Sequence, residues 1–140
     1  MQSQQGKNYN FLQIGNPDSV KQQMFTLPGM GEFSGKYFLK EPLALTSMEA
    51  SINVLPAGAE VPFKHRHKNN EELYFFIKGK GEFEIDGTQI EIKEGSMIRV
   101  SPNGIRTWRN NGNEDLYYFV IQAKANSMER STFEDGELVK

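Results

Sequence analysis

The chain has 140 residues, the length of one ordinary domain, and 37% of them are hydrophobic, enough to build a core. Sixteen Lys and Arg against eighteen Asp and Glu give a formal net charge of -2, so the basic excess of a nucleic-acid-binding protein is missing and no such partner is expected. The absence of cysteine excludes disulfides, thiolate metal sites and a cysteine nucleophile.

Both ends of the chain are more polar than its middle. The start lacks the apolar stretch of a secretory signal, and residues 1–20 are expected to form a flexible arm. Residues 126–140 carry only scattered apolar side chains and are expected to form a short tail. The longest apolar run, residues 116–121, is too short to span a membrane. We therefore expect a single-domain cytoplasmic protein without membrane contact.

Between the ends, hydrophobic residues recur at every second position, which is the period of half-buried strands. Residues 48–54 alternate in this way, and so do 82–86 and 89–93, with the turn-forming pair Asp86-Gly87 between the last two. Further strands are predicted at 37–39, 61–67, 72–77, 97–100, 106–109 and 116–122. Gly- and Pro-containing turns separate these segments about every eight to twelve residues, which predicts an all-β sandwich or barrel.

The two histidines of the chain, His65 and His67, are two residues apart. On a strand both side chains point to the same face, and Glu72 follows after a short polar turn. Two imidazoles and one carboxylate on one side of a centre form a facial ligand set for a divalent transition metal. The alternative interpretation is two solvated histidines and a surface glutamate, which the spacing alone leaves open.

These residues resemble the first motif of the cupin superfamily: glycine, five residues, His-x-His, three or four residues, Glu, six residues, glycine. Gly58, His65, His67, Glu72 and Gly79 match it, except that six residues separate Gly58 from His65. The resemblance implies a single domain with a double-stranded β-helix, or jelly-roll barrel, over residues 44–123, preceded by N-terminal strands and followed by the short tail. It also implies that His65, His67 and Glu72 hold one metal ion, such as Fe, Mn, Ni or Zn, inside the barrel.

The second cupin motif supplies a fourth ligand, a histidine, which this chain lacks. Counted from Gly95 the histidine position falls on Arg106, and counted from Gly104 it falls on Thr107. Three interpretations follow. The three ligands bind a metal whose remaining positions are open, or Arg106 pairs with Glu72 in a metal-free site, or metal and Arg106 together bind an anionic substrate. In the third, Arg99 adds to substrate binding.

Two aromatic residues are candidates for roles in the site. Trp108 follows the missing ligand closely and is predicted to line a substrate pocket, with its indole N–H as a polar contact. Tyr74 lies on the face of Glu72 and is the one candidate for a catalytic proton carrier.

Leu73, Phe75 and Ile77 alternate with Glu72 and must face the outside of the barrel. Three large apolar side chains there need a cover, which is either the N-terminal segment 25–39 or a second subunit. Because cupins commonly pair through their sheets, a homodimer is expected.

The resemblance favours a metal-dependent enzyme, an isomerase, epimerase, lyase or dioxygenase, that acts on a small polar or anionic substrate such as a sugar or keto acid. The shortage of acid and base groups favours the alternative, a non-catalytic and possibly metal-free small-molecule-binding or sensing cupin.

Overall fold

The computed structural model describes all 140 residues, and the regular structure of the chain consists almost entirely of antiparallel strands. The strands are β1 (Gln2–Gln5), β2 (Asn10–Gln13), β3 (Met24–Leu27), β4 (Gly31–Ser34), β5 (Lys36–Phe38), β6 (Glu49–Leu55), β7 (Asn70–Lys78), β8 (Lys80–Ile85), β9 (Thr88–Lys93), β10 (Met97–Val100), β11 (Arg106–Arg109) and β12 (Leu116–Lys124). A 3-10 helix (Pro17–Gln22) and two single-turn helices, α1 (Lys40–Leu43) and α2 (Thr132–Asp135), complete the chain. None of these helices is long and apolar enough to cross a membrane.

Two sheets form the barrel. The larger has the strand order β10-β7-β12-β6-β5 and the smaller the order β11-β8-β9. Their inner faces share one hydrophobic core, formed by Tyr74, Phe76, Phe83, Ile92, Val100, Trp108, Leu116, Tyr118 and Val120. This architecture confirms the predicted all-β double-stranded β-helix.

The predicted hairpin between β8 and β9 is present. Asp86 and Gly87 both have positive φ values, 48° and 83°, as a two-residue hairpin turn requires. The alternation of the flanking strands places Phe83 and Ile92 in the core. Local sequence is therefore sufficient to specify this part of the sheet.

The predicted strand at 61–67 is wrong as a regular strand. The segment runs beside β11 but pairs with it only at two isolated bridges, Glu60 with Arg109 and His65 with Arg106. Between the two bridges this segment advances by five residues while β11 advances by three, so the segment bulges there. Pro62 lies in the bulge and lacks the N–H that a continuous ladder needs.

The segment 1–20, expected to be an arm, contains secondary structure. Its strands β1 and β2 pair from Gln2 with Gln13 to Gln5 with Asn10, and their side chains are mostly exposed. The following 3-10 helix contacts β6 and buries Val20 completely. At the other end, residues 126–140 form only the exposed turn α2.

The N-terminal segment does not cover the outer face of β7. Instead, the hairpin of β3 and β4 lies at the mouth of a cavity on the inner side of the larger sheet. Leu73 and Ile77 remain 41% and 47% exposed. The N-terminal segment is therefore not the cover of this face, and a cover by a second subunit remains a prediction.

Candidate metal centre and ligand cavity

A cavity of about 680 Å³ opens between the two sheets. Half of the residues that line it are hydrophobic, and His65, His67 and Glu72 belong to its wall. Phe25 and Phe33, from β3 and β4, also line it. Cavities of this size and composition are typical of small-molecule sites.

The three predicted metal ligands come together in this cavity. The Nε2 atoms of His65 and His67 each lie 3.5 Å from Oε1 of Glu72, and the three donor atoms all lie within 4.8 Å of one another. The bridge to Arg106 positions His65, and a hydrogen bond of 2.8 Å from the Asn103 N–H to the His67 carbonyl positions His67. Two imidazoles and a carboxylate at this spacing match, in number and kind, a facial ligand set for a divalent transition metal.

Glu72 is buried and its carboxylate accepts several hydrogen bonds. The Tyr74 hydroxyl donates to Oε1 at 2.6 Å, and Nη2 of Arg106 donates to the same oxygen. Burial opposes ionisation of Glu72, but the hydrogen bonds from the two imidazoles, Tyr74 and Arg106 outweigh it and hold the pKa of the carboxyl well below its ordinary value. Glu72 is therefore a fixed carboxylate anion.

Arg106 occupies the position of the missing histidine. Its side chain is 0% exposed, whereas the hydroxyl of Thr107 donates to the Val61 carbonyl at 3.3 Å. Of the two positions, Arg106 is the one whose side chain reaches the ligand cluster. Besides Glu72, Arg106 donates from Nη1 to the Gly104 carbonyl at 2.7 Å and from Nε to the Tyr74 hydroxyl at 3.2 Å. These donors bind protein atoms and the side chain does not line the cavity, so the structure does not place Arg106 where it could contact a ligand directly.

Tyr74, the predicted proton carrier, lies behind Glu72 and does not line the cavity. Burial, followed by the charge of Glu72, raises the pKa of its phenol well above the ordinary value. At neutral pH this hydroxyl keeps its proton and orients the carboxylate.

The two remaining sequence candidates differ in position. Trp108 lines the cavity, its ring stacks on Phe83 with centroids 5.7 Å apart, and its buried Nε1 has no hydrogen-bond partner in the protein. Arg99 points away from the cavity and donates to Oε1 of Glu71 at 2.9 Å, with 59% of its side chain exposed. Because Glu71 and Glu72 face opposite sides of β7, Arg99 is outside the barrel and cannot reach a ligand in the cavity.

Sequence reasoning missed Lys36, which is half-buried and lines the cavity from β5. Its Nζ donates to Oγ of Ser51 at 3.0 Å and to Oδ1 of Asn53 at 3.1 Å. Burial lowers the pKa of this amine to about 8. The sequence signal for an inward Lys36 is the alternation of Lys36, Tyr37 and Phe38, but the preference of lysine for the surface argues against that position.

The fold and the site together define a double-stranded β-helix with a His-His-Glu cluster in its cavity. The chain belongs to the cupin family: residues 51–122 match the model of the cupin domain.

The solved structure of a cupin protein from Bacteroides fragilis is 36% identical, with a TM-score of 0.80, and the match covers 96% of this chain and 100% of that one. The oxalate-binding protein of Thermotoga maritima is 30% identical over 67 residues, which are 48% of this chain and 54% of that protein. The 5-nitrosalicylic acid 1,2-dioxygenase of a Bradyrhizobium species is 29% identical over 98 residues, 69% of this chain and 43% of the enzyme. The chain thus spans about half the length of the curated relatives it matches.

Proposed function

We propose that the protein is a metal-binding cupin that takes a small polar or anionic molecule into its cavity. His65, His67 and Glu72 would hold one divalent ion of Fe, Mn, Ni or Zn. The observation that carries the proposal is the convergence of two imidazoles and an ionised carboxylate on the wall of a cavity that has room for a substrate.

The residues around the ligands suit such a centre. Tyr74 and Arg106 hold the carboxylate of Glu72 in one orientation, which is the role of outer-shell groups in metal sites. Because the chain supplies three ligands and Arg106 takes the place of a fourth, a bound metal would keep at least one position open for water or substrate, as in catalytic metal centres. The bound metal would supply Lewis-acid chemistry for an isomerase, epimerase or lyase, or oxygen chemistry for a dioxygenase.

Two features support a polar or anionic ligand. The first is the ammonium of Lys36, a hydrogen-bond donor on the cavity wall. Two of the relatives are named for acids, oxalate and 5-nitrosalicylic acid, which places acidic molecules among the first candidates to be tested.

A metal-free binding or sensing protein is the second candidate function. It is favoured by the ion pair of Arg106 with Glu72, which already neutralises the carboxylate that a metal would need. In addition, the buried Nδ1 of His65 lacks the hydrogen-bond acceptor that usually supports a metal-bound imidazole. Tyr74 is unsuited to proton transfer, so a catalytic role depends on the metal.

The deciding experiment is the metal content of freshly purified protein, measured by mass spectrometry before and after loading with Fe²⁺, Mn²⁺, Ni²⁺ or Zn²⁺. We expect about one bound ion per chain, lost in the His65→Ala/His67→Ala double variant. Arg66→Ala is the matched control, because the side chain of Arg66 lies between the two histidines and is exposed. Wild-type protein that stays metal-free after loading would establish the second candidate, and metal retained by the double variant would refute the ligand assignment.

A further inference from the structure

We propose that Lys36 is the anion-binding group of the cavity and that the ligand is a small organic acid, its carboxylate on the Lys36 ammonium and its apolar part against a wall of aromatic rings. The inference rests on the cavity being a ligand site, as proposed above, and does not depend on a metal.

The backbone fixes Lys36 on the inner side of the larger sheet. It is the first residue of the edge strand β5 and pairs with Asn53 of β6, whose side chain is buried. Gly35 makes the turn from β4 into β5 with φ of 89°, and a Cβ there would lie 2.4 Å from the Val54 carbonyl oxygen. Only glycine permits this close approach, so the chain enters β5 with Lys36 facing the cavity.

The ammonium of Lys36 has no carboxylate within ion-pair distance. Its hydrogen-bond partners, Ser51 and Asn53, are neutral, and an ammonium has three donors, so one donor is left. The ring of Phe38 lies 5.1 Å from Nζ and gives a cation–π contact. Glu49 also lines the cavity, but its Oε1 accepts from two backbone N–H groups, at 3.0 and 3.1 Å. Glu72 and Glu49 favour the charged form of Lys36 electrostatically, but neither pairs with it directly and the effect of burial is larger. An anionic ligand in direct contact with the ammonium would reduce that cost of burial.

The partners of Lys36 are themselves held in place. The side-chain amide N–H groups of Asn53 donate to the Ser51 carbonyl and hydroxyl, both at 3.1 Å, and to the Tyr118 carbonyl at 3.3 Å. This arrangement turns Oδ1 of Asn53 toward Lys36. The ammonium is therefore preorganised, and less ordering is needed when a ligand binds.

The aromatic wall connects Lys36 with the metal centre. It consists of Phe38, Phe25, Phe33 and Phe63, which contact one another in that order with ring centroids 6.0, 5.7 and 6.3 Å apart. The last ring of the wall lies 5.8 Å from the ring of His65. A ligand along this wall would keep its carboxylate at Lys36 and direct its other end to the histidines. An apolar body is needed to use the wall, so we assign the ligand to aromatic or branched aliphatic carboxylic acids.

Benzoate is a suitable probe, with benzamide as its neutral counterpart and acetate as the acid without an apolar body. Trp108 is the one tryptophan of the chain and lines the cavity, so its fluorescence reports binding directly. We expect benzoate to bind about tenfold or more tightly than benzamide or acetate. The gain over benzamide comes from one charge-assisted hydrogen bond, and the gain over acetate comes from burial of the ring. Lys36→Met should lose that preference and Lys36→Arg should keep part of it. Lys40→Met, which removes an exposed amine nearby, should bind like the wild type.

The measurement is repeated on chelator-treated protein and on the His65→Ala/His67→Ala variant. A preference for benzoate that persists in both, and disappears in Lys36→Met, supports the inference even if the metal proposal fails. A preference that disappears with the histidines and survives in Lys36→Met would place the anion on the metal and overturn the inference. Equal binding of benzoate and benzamide by the wild type, or no binding of benzoate, would also overturn it.

Discussion

Replacing Lys36 with methionine should leave the stability of the fold at neutral pH nearly unchanged while it removes the proposed anion site. Burial lowers the pKa of Lys36 from 10.5 to about 8. This difference corresponds to a cost of about 3 kcal/mol for keeping the buried amine charged at neutral pH. Methionine has a similar length and no charge, but it loses the hydrogen bonds to Ser51 and Asn53, worth about 1.5 kcal/mol each or more because the donor is charged. The two effects nearly cancel, so the free energy of unfolding at pH 7 should change by less than about 1 kcal/mol.

The pH dependence identifies the charge as the cause. Lys36 has a lower pKa in the folded than in the unfolded protein, so the unfolded state binds more protons between pH 8 and 10.5. The wild type should therefore gain stability relative to Lys36→Met as the pH rises through this range. Below pH 8 the full free-energy cost of keeping the buried amine charged is present.

Urea unfolding of the wild type and Lys36→Met at pH 7 and pH 10 measures both effects. Lys40→Met is again the control, since its exposed amine should change the free energy of unfolding by less than about 0.5 kcal/mol at either pH. The reasoning fails if the difference between the wild type and Lys36→Met does not vary with pH. In that case the ammonium would be a solvated structural group.

Three further predictions concern Arg106 and the outer face. Arg106→Leu leaves Glu72 buried without its partner and should cost about 3–5 kcal/mol in urea unfolding, part of which Arg106→Leu/Glu72→Leu should recover; an unchanged midpoint would contradict the ion pair. Arg106→His replaces a cation by a third imidazole, which would be the fourth ligand, and should bind Zn²⁺ more tightly in a competition titration, whereas weaker binding would argue against coordination by His65, His67 and Glu72. Light scattering should give twice the 16.0 kDa chain mass, and Leu73→Glu/Ile77→Glu should give a monomer; a monomeric wild type would refute the dimer.

The barrel could be predicted from the sequence because most of its strands carry their own signal. Residues such as Phe83 and Ile85 alternate with charged neighbours, and a positive-φ pair ends the strand, so local preference and tertiary structure agree. The same alternation predicts Glu72 inside and Leu73 outside, which is where the structure has them. The prediction of a strand at 61–67 was wrong because the hydrophobic pattern of this segment is that of a strand, while Pro62 breaks the hydrogen-bonded ladder.

The candidate site was only partly predictable, because two of its features depend on contacts distant in sequence. The choice between Arg106 and Thr107 as the inward residue is decided by the bridge from Arg106 to His65, which no count of motif residues contains. Lys36 lies far along the chain from the metal motif and reaches the cavity only because β5 pairs with β6. The turn signal Pro28-Gly29 between two phenylalanines does indicate a hairpin, but not that the hairpin lies over the cavity.

Lys36 is the one lysine or arginine on the cavity wall, and its ammonium would attract the anionic part of a ligand whether or not a metal binds. Arg106 already neutralises Glu72, so Lys36 is a cavity-facing cation without an ion-pair partner. A divalent metal at the histidines would add two positive charges and strengthen the attraction for an anion. Without a metal, the Nε2 atoms of both histidines still lie 3.5 Å from Oε1 of Glu72, and Lys36 keeps its free donor. Glu72 and the half-buried Glu49 compensate the charge of Lys36 only in part, since burial still lowers the pKa of the amine. The class of ligand is thus better constrained by this structure than the reaction, and ligand screening with and without metal is the direct route to the substrate.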